Sequence, residues 1–146
     1  MANWITPVYD RTESDVSYAR QQLSKGINDV EYKGCFNVTD SNRIENNTRY
    51  LSDTLRELCY QNSITTKTDW NTSSYISISN VSRIINNIDI LWKKYHTPTG
   101  SITLPSTLLT YEHINNIEKN QYLIKVLLDN MINSFKQCNA FECGEA

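Results

Sequence analysis

Residues 76–91 read Ile76-Ser77-Ile78-Ser79-Asn80-Val81-Ser82-Arg83-Ile84-Ile85-Asn86-Asn87-Ile88-Asp89-Ile90-Leu91. Here and just beyond, Val81, Ile84, Ile85, Ile88, Leu91, Trp92 and Tyr95 recur at helical spacing for four turns. That period is one face of an α-helix, not the alternation of a strand. The run has two relatives in the chain. Phe36-Asn37-Val38-Thr39-Asp40-Ser41-Asn42-Arg43-Ile44-Glu45-Asn46-Asn47-Thr48-Arg49-Tyr50-Leu51 aligns with it without gaps, 40 residues earlier. A weaker copy runs from Leu109 to Ile124, 33 residues later. Self-similarity of this kind points to repeated helical units.

The alignment assigns roles. Ile44, Ile84 and Ile117 correspond, as do Leu51, Leu91 and Ile124, and the periodicity makes these six the structural core. Asn47, Asn87 and Asn120 also correspond, each three residues after the aligned isoleucine. That places an amide on the inward face of each helix. A buried amide must find hydrogen-bond partners, and backbone groups of the lead-in loop are nearest. The expectation is a loop-pinning asparagine in each unit, with a ligand-binding amide as the alternative.

Three equivalent helices are therefore predicted, over roughly Asp40–Tyr60, Asn80–His96 and Thr110–Lys136. Asn42 with Glu45 has the spacing of a capping box. A shorter helix precedes them, with Thr12 and Asp15 as its cap and Gly26 as its end. Polar linkers separate the helices; Pro98, Gly100 and Pro105 break the second one. Tyr75-Ile76-Ser77-Ile78 alternates and allows a short strand, although in the repeat it leads into a helix. The fold class is all-α, with extended polar linkers that admit short β pieces. The organisation is one domain of three related units: 1–62 with the extra N-terminal helix, 63–97 and 98–137, followed by a tail at 138–146.

Composition narrows the function. Of 146 residues, 39% are hydrophobic and 21% charged, and the net charge is −2. The apolar share fits a thin core of helices packed on each other or on a partner. Charges of both signs are interspersed. Sequence-independent nucleic-acid binding needs a basic face, and none is visible; an anionic membrane surface is disfavoured for the same reason. The opening Met1-Ala2-Asn3-Trp4-Ile5-Thr6-Pro7 lacks the pattern of a secretory signal. No stretch approaches the roughly 18 apolar residues of a membrane span. The reading is a chain made in a cytoplasm. Asn-x-Ser/Thr triplets at Asn37, Asn46, Asn71 and Asn80 then follow from composition and not from glycosylation.

Chemistry-bearing patterns are sparse. His96 and His113 stand away from any Ser or Cys motif of a known nucleophilic type. Glu45, Glu57, Asp89 and Glu118 lie beside apolar stripes and read as solvated surface charges, not as a glycosidase pair. Four glycines give no phosphate loop. Cys35 and Cys59 form no close pair, Cys138 and Cys143 are spaced C-x4-C, and free thiols are preferred over zinc or disulfides. Catalysis, metal and cofactor are all expected to be absent. Trp70, in a linker, and Leu127, Met131 and Phe135, on the broad apolar face of the last helix, are the candidate partner contacts.

A family resemblance rests on particular residues. Thr68-Asp69-Trp70 and the run Asn42-Arg43-Ile44-Glu45-Asn46-Asn47 resemble a module of small tail-associated proteins of phages and prophages of Firmicutes. The opening Trp4-Ile5-Thr6-Pro7-Val8-Tyr9-Asp10-Arg11-Thr12-Glu13-Ser14-Asp15-Val16 is similar to the beginning of such proteins. So are Lys33-Gly34-Cys35-Phe36-Asn37 and the stretch from Asp40 to Glu45. The resemblance covers about two-thirds of the chain and carries no active-site residues. It implies a virion or tail role without stating which part. The reading taken is a component of the baseplate, fibre-attachment or tail-tip region that binds other virion proteins, and the broad apolar face of the last helix adds contacts with copies of itself. A free cytoplasmic adaptor or regulator is the alternative, and a small wall hydrolase a third.

Overall fold

Four helices form in the order α1 (Glu13–Ser24), α2 (Val38–Glu57), α3 (Ile78–Lys94) and α4 (Tyr111–Cys138). The computed structural model describes residues 2–107 and 110–138, without the side chains of 136–138. The opening Leu109 of the third copy, the side chains of Cys138 and Cys143, and the tail from 139 onward lie outside the described residues. The fold is all-α: no strand occurs among the described residues, and Ile78, once allowed to a strand, opens α3.

Local chemistry sets the ends. Thr12 and Asp15 form a reciprocal capping box on α1. On α2, Asp40 accepts a hydrogen bond from the Asn37 backbone N–H at 2.9 Å. The start signal expected at Asn42 and Glu45 thus lies five residues earlier, and those two side chains serve other partners. Ser77 caps α3 by accepting from the Asn80 N–H at 3.3 Å. Past the end of α2 the Tyr60 N–H reaches the Leu55 carbonyl at 2.8 Å, and the Cys59 N–H reaches Arg56 at 2.9 Å. This is a Schellman turn, and it places Cys59 at φ +68°, a conformation that favours glycine.

Two clusters make the core of α2, α3 and α4. Ile44, Ile84, Ile88, Ile114 and Ile117 form one. Leu51, Leu55, Leu91, Ile124, Leu128 and Met131 form the other. All six expected core residues are buried. The first cluster takes the early turns of all three helices and the second takes the late turns. The three helices therefore run in the same direction. Each full burial of an Ile or Leu side chain contributes about 1.5–3 kcal/mol.

Parallel helices impose long returns. A 20-residue helix such as α2 is about 30 Å long, and extended chain covers that in about 9 residues. The described residues between these helices form no regular secondary structure, and hydrogen bonds must be found for their backbone. The described segment ahead of α1 is likewise irregular. Helix α1 stands aside and buries Ala19 alone among its residues. It is held at Gly34, where an added Cβ would sit 2.2 Å from the Asp15 carbonyl oxygen.

Candidate functional site

The extended segments are held by asparagine side chains. The Asn47 amide exchanges two hydrogen bonds with Ile5, accepting from its N–H at 2.9 Å and donating to its carbonyl at 2.8 Å. Asn120 does the same with Ile102, at 2.9 and 2.6 Å. Asn87 donates to the Thr65 carbonyl at 2.7 Å. All three asparagines are buried. An amide used in this way imitates the edge of a β-strand, so extended chain can lie against a helix without unsatisfied backbone groups.

Two further asparagines act likewise. Asn42 pairs with both backbone groups of Trp70, each at 2.9 Å. Asn115 pairs with both of Arg11, at 3.2 and 2.9 Å. Periodicity did not single them out. Each lies two residues before an aligned core isoleucine, Ile44 or Ile117, and that shared offset was the available signal.

A four-membered ionic cluster ties the first segment to α2 and α4. Arg11 contacts Asp40 at 2.7 Å and Glu118 at 3.1 Å. Arg43 contacts the same two carboxylates, at 2.5 and 2.7 Å. Glu118 also accepts from the Val8 N–H at 2.5 Å. Two guanidiniums and two carboxylates balance in charge, as burial requires. Burial pulls the Arg43 pKa down; the hydrogen bonds and charges of Glu118 and then Asp40 outweigh it, and the net direction is up. Every carboxylate oxygen of the cluster has a partner, so the cluster cross-links the first segment to α2 and α4.

The surface reading of two acids is corrected. Glu118 is 0% and Glu45 1% exposed. Glu45 forms a two-pronged ion pair with Arg83, which also donates to the Thr65 carbonyl at 2.8 Å. A charge beside an apolar stripe stays solvated unless a fixed cation meets it, and here distant arginines do. Glu57 is exposed and Asp89 half-buried, with Lys93 at 2.8 Å from the latter.

The candidate contact residues divide. Trp70 is 6% exposed, with Lys67 over its ring at 4.5 Å and its indole N–H unpartnered among the described residues. Met131 is buried in the second core cluster. Neither presents a surface, because the Asn42 clamp draws the Trp70 segment inward and Met131 faces the late turns of α2 and α3. Leu127 is half-buried and Phe135 exposed. Cys35 and Cys59 are free thiols. Among the described residues no group of three or more His, Cys, Asp or Glu is placed to hold a metal, and no helix is long and apolar enough to cross a membrane.

Compared with known proteins, the chain matches no protein-family model, no curated protein and no solved structure.

Proposed function

We propose that the chain is a non-catalytic structural component of a bacteriophage tail, in the baseplate, fibre-attachment or tail-tip region. It binds other virion proteins and copies of itself and belongs in the virion. The chain is read as three related units, each an extended segment followed by a helix, with α1 inserted into the first. Helices α2, α3 and α4 start at Val38, Ile78 and Tyr111, each six residues before its aligned isoleucine. Each of these helices also pins extended chain through its aligned asparagine.

The observation that carries the structural reading is the use made of the polar interior. Arg11, Asp40, Arg43, Glu45, Glu118 and the buried asparagines are all engaged in fixing extended backbone to helices or helices to each other. A rigid scaffold needs this; the buried polar atoms left over among the described residues, Arg11 Nε, Trp70 Nε1 and Gln121 Oε1, belong to three separate side chains, none of them a carboxylate or thiol. The resemblance of the segments around Arg43 and Trp70 to tail-associated proteins supplies the location. Exposed Tyr18, Val30, Tyr75, Ile78 and Phe135 supply apolar surface for contacts.

Mass spectrometry of purified particles tests the proposal. The chain is expected at a fixed ratio to tail proteins and in the tail fraction after dissociation. Its absence from particles, or a strictly monomeric chain that co-purifies with no virion protein, overturns it.

A further inference from the structure

Aligned positions on α2, α3 and α4 make two kinds of lateral contact, and the seam between α3 and α4 lacks both. Two residues before the aligned isoleucine stand Asn42 and Asn115, which clamp the backbones of Trp70 and Arg11; on α3 the position is Ser82. One residue before it, Arg43 bridges from α2 to Glu118 on α4, and Arg83 bridges from α3 to Glu45 on α2. The third bridge would run from α4 to α3. There the aligned residues are Asn116 and Ile85, which cannot form an ion pair. The ring of contacts is open at the seam between α3 and α4.

The extended segment at that seam follows Pro98. It is fastened on both sides of Pro98: just before it the Trp92 indole N–H donates to the Thr97 hydroxyl at 2.8 Å, and beyond it Asn120 holds Ile102. Beyond Ile102, residues 103–107 make no hydrogen bond to a helix among the described residues. Between them and α3 lies a cleft of about 480 Å³, with Ser82, Ile85 and Trp92 on the α3 side and Thr103, Leu104 and Ser106 on the segment side.

We infer that residues 103–107 are a hinged flap over the side of α3, which opens about the Asn120–Ile102 clamp while the other two extended segments stay shut. Among the described residues, opening breaks no ion pair and no amide clamp; it lifts Leu104 from its packing against the first core cluster and exposes Ile85 and Trp92. The inference rests on the contacts alone and is independent of the tail reading.

The test is fluorine relaxation dispersion on the full chain labelled with 5-fluorotryptophan, because motion of this kind falls in the microsecond-to-millisecond range. The Trp92 resonance is expected to show exchange, and those of Trp4 and Trp70 to show none. Ser82→Asn supplies the missing amide and is expected to reduce the Trp92 exchange contribution several-fold. Asn42→Ser removes the corresponding clamp and is expected to bring exchange to Trp70. A flat Trp92 profile in the unsubstituted chain overturns the inference, as does a Trp70 resonance unchanged by Asn42→Ser.

Discussion

Asn47 and Ile5, 42 residues apart in sequence, are joined by two hydrogen bonds, so that one side chain satisfies both backbone groups of one residue. The arrangement lets a strand-like segment lie on a helix with no sheet beside it. Truncation leaves an N–H and a carbonyl without partners, at a cost of about 1–3 kcal/mol. Asn47→Ala and Asn120→Ala are each expected to lower the urea midpoint with little change in slope. Asn47→Asp keeps the acceptor, loses the donor and buries a charge, and is expected to cost more than Asn47→Ala. Equal stability of Asn47→Ala and the unsubstituted chain would remove the clamp from the account.

The ionic cluster predicts strong coupling. Arg11→Met leaves Asp40 and Glu118 sharing Arg43, and Glu118→Gln leaves two arginines on Asp40. Breaking a buried pair from one side costs about 3–5 kcal/mol. The double variant restores charge balance, so its cost is expected to fall below the sum of the two by about 0.5–3 kcal/mol. Additive losses in chemical denaturation contradict a coupled cluster.

Cys59 sits at φ +68° in the turn after α2. Glycine adopts that conformation without the steric cost borne by a side chain. Relief of left-handed strain, about 1–2 kcal/mol, outweighs the freedom that glycine adds to the unfolded chain, about 0.5–1 kcal/mol, so Cys59→Gly is expected to raise the thermal midpoint. A lower midpoint shows that the thiol makes a contact worth more than the strain.

Gly34 is needed for a different reason. An added Cβ meets Asp15 and Val16 backbone atoms at 2.2–2.5 Å, and backbone cannot turn away as a side chain does. Gly34→Ala is expected to cost about 1–3 kcal/mol and to loosen α1. Hydrogen exchange checks the second part: faster exchange should be confined to α1 and the loop that follows. Uniform change along the chain does not fit.

The Asp15 carboxylate is held below its usual range, first by the Thr12 backbone N–H, then by the Thr12 hydroxyl, and least by Lys33. Its pKa is therefore lower folded than unfolded. The cap's contribution is present above the ordinary aspartate pKa and is lost as pH falls through the lowered folded value. The Thr12 amide resonance is expected to follow that titration, and Thr12→Ala to move it upward. An Asp15 titration at or above the ordinary value is the contrary result.

The sequence alone determined the helices, their register and the inward face. Periodicity near 3.6 is written locally, so Ile44, Leu51, Ile84, Leu91, Ile117 and Ile124 could be placed in the core without knowledge of any neighbour. The aligned Asn47, Asn87 and Asn120 could be seen to need partners for the same reason. Which partners they took was not legible. Ile5 lies across an inserted helix from Asn47, and pairings over such separations depend on the direction in which the helices pack. Only the tertiary structure decided that α2, α3 and α4 are parallel, and from this the rest follows. Parallel packing makes the linkers run back along the bundle, which brings Arg11 to Glu118 and Arg83 to Glu45 and draws Trp70 inward. A carboxylate beside an apolar stripe carries no local mark of burial, because its state depends on whether a cation from distant chain is fixed beside it.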